Sequence, residues 1–169
     1  LLHNLEQAYI LDLAKSSNGR EAEYLSLARM IAHKTYISLE LLSSRAKDES
    51  KYDKSFLDGF LSTSQESYMM HQGEKFIERF TAESYRTIIN AWQKFKIDEK
   101  EIKKLSGKEV LVLSVNSDVC FYPEEQIELV DVLELNDVCV NYSLLHSDKG
   151  HDAFLLEPDI FFDQIATYL

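Results

Sequence analysis

The chain has 169 residues, is 45% hydrophobic and 28% charged, and carries a net charge of −11. That balance describes a globular domain with a core and excludes a disordered chain. An acidic chain without a basic patch also excludes partners such as nucleic acid or an anionic membrane surface.

The first segment, "LLHNLEQAYILDLAKSSNG", carries Leu2, Leu5, Ala8, Tyr9 and Leu13 at helical spacing over residues 2–15. It lacks the basic start and small-residue exit of a signal peptide. The absence of a starting Met fits a processed protein or a piece of a longer one. "SSNG" then breaks the pattern, with Gly19 suited to a helix C-terminus. One long helix is expected over 21–46, from Leu25, Ala28, Ile31, Ala32, Leu39 and Leu42. "AKDESKYDKS" (46–55) reads as an exposed polar loop, and further helices are expected over 62–79 and 82–95, the former with a possible break at Gly73.

The texture changes after "SGK" (106–108). "EVLVLSV" (109–115) is a β-branched run of the buried-strand type. Pro123 suits the first position of a helix running to about Leu135, with Glu124 and Glu125 favourable in its first turn. "VCVNYSLL" (138–145) is the next strand and "EPDIFFDQIATYL" (157–169) a last helix. The alternation predicts a parallel sheet covered by helices. Two strands do not make a stable sheet alone, so further strands are implied, from another chain or a preceding segment. Charge marks the same boundary. Residues 1–106 hold 16 basic and 16 acidic side chains, whereas 107–169 hold 2 and 13.

The cysteines, Cys120 and Cys139, form neither a disulfide framework nor a CxxC pair, which is the usage of a reducing cytoplasm. The five histidines show no metal-ligand spacing, so no metal is expected. No apolar run reaches the length of a membrane span.

In open α/β sheets, functional residues lie in the loops at the carboxyl ends of the strands. Here those loops are "NSDVCFYP", with Asp118, and "HSDKGHDAF", with His151. A carboxylate beside an imidazole can fix its tautomer and stabilise its charged form. An Asp and a His in two loops also occur by chance, and spacing alone leaves both possibilities open. A G-x-S-x-G nucleophile turn needs glycines four apart, and no two of Gly19, Gly59, Gly73, Gly107 and Gly150 are. In "ARMIAHKTY" (28–36), Arg29 and Tyr36 lie nearly two helical turns apart and so face one way. That pair suits a carboxylate ligand, or else is a solvated Arg and a packed Tyr.

"SLARMIAHKTYIS", "ESYMMHQGEKFIERFTAESY", "NSDVCFYPEEQ" and "GHDAFLLE" occur in the order and approximate spacing of the homoserine O-acetyltransferase family, which this chain resembles from about residue 4 to the end. The resemblance implies the C-terminal portion of an α/β-hydrolase fold: a helical lid over 1–106, then the last two strands and helices of the core over 107–169. It places Asp118 and His151 as the triad acid and base. Arg29 and Tyr36 become pocket residues for the substrate carboxylate, and Asp152 the partner of its amino group. The nucleophilic Ser would lie outside these residues, leaving the chain inactive by itself. Also implied are acetyl-CoA as cosubstrate with no bound cofactor, homoserine as acceptor, a place in methionine biosynthesis, and a homodimer through lid helices. Within the fold, a serine acetyltransferase, a succinyltransferase or a hydrolase is the alternative; outside it, a non-catalytic interaction module. Lys149, where an aromatic residue is common, and residues 46–60 depart from the family pattern.

Overall fold

The computed structural model describes residues 2–49 and 63–169. They belong to two compact units. The first comprises, of these, residues 2–34, 39–49 and 63–95, the second residues 35–38 and 96–169.

The first unit is helical: α1 (Leu2–Ala14), α2 (Glu21–Tyr36, whose last two residues pack with the second unit), α3 (Leu39–Glu49), α4 (Ser64–Ile77) and α5 (Ala82–Lys94). Its apolar stripes meet in a core of Leu11, Leu25, Ala28, Phe76, Tyr85 and Ile89. Thr63 and Thr81 cap α4 and α5, each bonding the backbone three residues on and receiving a side chain in return. Tyr85 packs edge-on against Phe76 at 5.0 Å and donates its hydroxyl hydrogen bond to buried Gln7.

The single helix expected over 21–46 is two helices. Ile37 and Ser38 separate them because this stretch packs with the second unit, where Ile37 is buried and Ser38 bonds the Asp148 carbonyl. The apolar period runs on through the break, so it gives no sign of it. Residues 46–49, expected as loop, finish α3; 50–55 lie outside the described residues. Gly73 does not break α4. It is where α2 comes close, since a Cβ there would sit 2.2 Å from the Ser26 hydroxyl.

The second unit is built on β1 (Glu109–Val115) and β2 (Cys139–Leu145), parallel and paired from Glu109↔Cys139 to Val115↔Leu145. Between them runs α7 (Pro123–Glu134), with Pro123 in its first turn. Alternation splits β1 between two cores. Val110 and Val112 face Leu133 of α7, Val138 and Ile102 of the short helix α6 (Glu99–Lys103). Leu113 and Val115 face Ala153, Ile160 and Phe161. A 3-10 turn, Gly150–Asp152, and α8 (Ala153–Leu156), both expected as loop, precede the last helix, α9 (Pro158–Tyr168).

Candidate active site

The parallel pairing sends both strands out at one edge of the sheet, and the loops that follow are stitched together. The Asn116 amide donates to the Leu145 carbonyl at 3.0 Å. The Asn116 side chain accepts from the Ser147 amide at 3.0 Å, and Ser117 Oγ accepts from the Gly150 amide at 3.0 Å. Asp118 and His151 sit on these joined loops.

Asp118 is 8% exposed. Its Oδ1 accepts from the amides of Cys120 (2.7 Å) and Phe121 (2.9 Å), an Asx turn that fixes the carboxylate plane. Its Oδ2 is then presented to His151 Nδ1 at 2.9 Å. An ionised carboxylate can only accept hydrogen bonds. Nδ1–H is therefore the donor toward Oδ2, and Nε2 keeps its lone pair. This hydrogen bond raises the His151 pKa above its ordinary 6.5; burial opposes the rise, and the charges of Asp118 and Asp152 add to it. The arrangement is a base whose cation has a fixed counter-charge.

The ring is walled by aromatic side chains. Its centroid lies 5.2 Å from that of Phe121, 5.8 Å from Phe154 and 6.2 Å from Tyr36. Val115, Asp118, Phe121, His151, Phe154 and Phe161 line a groove of about 460 Å³. Gly150, at φ +70°, adopts the left-handed conformation that lets the chain turn just before the histidine.

Four of the five residues singled out in the sequence thus belong to the second unit: Tyr36, Asp118, His151 and Asp152. Asp152 ends the 3-10 turn beside His151. Arg29 belongs to the first unit. Its guanidinium lies 5.0 Å from the Phe76 ring centroid, and its Nη2 is 3.5 Å from His33 Nδ1. Arginine cannot accept a hydrogen bond, so His33 Nδ1 is the acceptor and Nε2–H donates to the Tyr68 hydroxyl at 3.1 Å. Burial, then the charges of Arg29 and Arg45, push the His33 pKa down to about 4. His33 is therefore a neutral imidazole braced against an arginine.

Phe121, Phe154, Tyr68 and the packing of Arg29 against His33 had no assignment from the sequence. Asp118 followed by amides two and three residues on is an Asx-turn signal that was available there. Among the described residues, no group of His, Cys, Asp and Glu could hold a metal ion, and no helix is long and apolar enough to cross a membrane.

No protein-family model matches the chain. It is 38% identical over 142 residues to a homoserine O-acetyltransferase of Methanosphaera stadtmanae, a match covering 79% of this chain and 28% of that protein. It is 33% identical over 159 residues to a homoserine O-succinyltransferase of Acidithiobacillus ferrooxidans, covering 90% and 42%. The chain thus spans less than half the length of these relatives. A crystal structure of homoserine O-acetyltransferase from Bacillus anthracis superposes with a TM-score of 0.73 at 16% identity, over 98% of this chain and 48% of that one. Esterase E22 superposes with a TM-score of 0.79 at 13% identity, over 99% and 49%. Along most of its length the chain is homologous to part of the homoserine O-acyltransferases, and its fold is a portion of the α/β-hydrolase fold.

Proposed function

We propose that this chain supplies the acid–base half and the amino-acid-binding residues of a homoserine O-acetyltransferase. The observation that carries the reading is the 2.9 Å bond between His151 Nδ1 and an Asp118 carboxylate whose other oxygen is held by two amides. Homology to homoserine O-acyltransferases over 79–90% of the chain gives that pair its chemical context.

The nucleophile is a serine outside these 169 residues, none of whose serines stands in a G-x-S-x-G turn. Its hydroxyl proton passes to His151 Nε2 as its oxygen attacks the thioester carbon of acetyl-CoA. The tetrahedral intermediate collapses, the C–S bond breaks, and CoA leaves with the proton from His151. Homoserine then enters. His151 takes its hydroxyl proton, the new alkoxide attacks the acyl-serine, and the serine leaves with that proton. Asp118 orients the ring throughout and offsets its positive charge. Arg29 receives the carboxylate of the amino acid, Tyr36 adds a hydrogen bond and Asp152 receives the ammonium group. A zwitterion requires one cation and one anion, each offsetting desolvation of the opposite charge. The enzyme works in the cytoplasm as a homodimer through the helices of residues 1–106, an assembly that sedimentation of the whole protein tests directly.

The decisive experiment measures CoA release by the whole protein with acetyl-CoA or succinyl-CoA as donor and homoserine or serine as acceptor. Turnover with acetyl-CoA and homoserine, lost in His151→Ala, is expected. A preference for succinyl-CoA or for serine would reassign the substrates, and full activity in His151→Ala would overturn the mechanism.

A further inference from the structure

The residues Thr35–Ser38 leave α2 in sequence but pack in the second unit. Each of them touches it. The Thr35 side chain lies beside the Cys120 thiol, the Tyr36 ring lies beside His151, Ile37 is 2% exposed, and Ser38 donates its hydroxyl hydrogen bond to the Asp148 carbonyl. Gly150 meets the same strap. A Cβ at Gly150 would lie 2.8 Å from the Ser38 nitrogen and 2.9 Å from the Ile37 carbonyl carbon. The loop that ends in His151 therefore runs backbone against backbone with the strap. Ser147 and Gly150 are tied to the loop after β1; Asp148, between them, is tied to the strap. The Asp148 side chain pairs with Lys149 near the surface, and such a contact places backbone poorly.

We propose that Ser38 is a positioning residue for His151: its hydroxyl, held on the Asp148 carbonyl, fixes the loop whose next turn sets the imidazole against Asp118. The effect on turnover rests on His151 being the base. The effect on the ring does not.

The test is a nuclear magnetic resonance titration of the His151 ring in the whole protein, with acyl-transfer kinetics alongside. In Ser38→Ala the ring loses alignment with Asp118, so its titration midpoint moves down toward the ordinary 6.5. Small misplacements of a reacting group are costly, so kcat falls about 10-fold. The KM for acetyl-CoA stays within about twofold, because the lost contact acts on the base and not on donor binding. Ser38→Thr, which keeps the hydroxyl, retains both the midpoint and the turnover. A serine that only stabilised the fold would lower Tm and leave the His151 midpoint in place. Ser38→Cys, close in size with a weaker donor, covers a Ser38→Ala protein that does not fold, and its midpoint falls between the two. An unmoved midpoint in the alanine or cysteine variant, or a threonine variant that fails to hold it, overturns the proposal. A moved midpoint with unchanged turnover upholds the positioning and overturns the role of His151 as base.

Discussion

Asp118 accepts three hydrogen bonds, and one of them defines the tautomer of His151. An amide at that position would keep the shape and lose the charge. Asp118→Asn is expected to cut kcat by on the order of 10³–10⁴-fold, with little change in binding of either substrate. The pH profile carries a second signature. A base works when neutral, and Asp118 raises the pKa of His151, so activity should rise with pH through a midpoint above 6.5. In the Asn variant that limb should move down. A limb already at or below 6.5 in the unaltered enzyme would count against the pair. His33 behaves in the opposite sense. Its folded pKa of about 4 lies below the ordinary 6.5. The unfolded chain therefore binds the extra proton between these values, and stability present above pH 6.5 is lost as pH falls toward 4. The loss amounts to on the order of 3 kcal/mol. Urea midpoints across that range, compared with His33→Gln, would reveal it; parallel curves would mean that His33 does not carry the acid sensitivity.

Elements differ in how plainly the sequence announces them. β1 appears as a run of Val and Leu at 109–115, and α7 starts at the proline that suits a first turn. Both are local signals. The break between α2 and α3 is not local, because it depends on what Ile37 and Ser38 touch in the second unit. The 3-10 turn at 150–152 is likewise set by contacts far along the chain, with Ser117 and with the strap. The same division runs through the site. The carboxyl-edge rule brings Asp118 and His151 to one place, but Phe121 and Phe154 join them only through packing. Gly73 and Gly150 show how close approaches hide in a helical or polar pattern. Gly73→Ala gains about 1 kcal/mol of helix propensity but forces atoms into the 2.2 Å gap to Ser26. Overpacking costs roughly 1–3 kcal/mol, so the variant should be less stable or at best neutral, as denaturant unfolding would show. A gain in stability would mean that α2 and α4 are freer to part than their spacing implies. Gly150→Ala faces backbone atoms that cannot rotate away, together with a positive φ, and should lose more stability than Gly73→Ala under the same conditions.

At the scale of the whole molecule, the described strands form one two-stranded sheet, so each strand has an unpaired edge. Ile127 and Val132 of α7, Leu135 just after it, Phe154 and Leu155 of α8 and Phe162 of α9 are all more than one-third exposed. Apolar exposure around open strand edges marks surfaces that other polypeptide normally covers. These 169 residues by themselves should therefore bind a hydrophobic dye and release no CoA from acetyl-CoA and homoserine. Dye binding should fall in the protein that also carries the nucleophile turn. A chain that ignores the dye would be a self-sufficient domain, and the non-catalytic reading would regain ground.

The stitching between the loops has a further consequence, visible in time rather than in space. The amides of Asn116, Asp118, Cys120, Phe121, Ser147, Lys149 and Gly150 all donate to protein acceptors. Protons in such bonds leave for solvent only when the segment opens. In deuterated water these loop amides should exchange as slowly as those of β1 and β2, and together, as one cooperative unit. The edge that carries Asp118 and His151 would then keep its shape for as long as the sheet does, with no separate melting of its own.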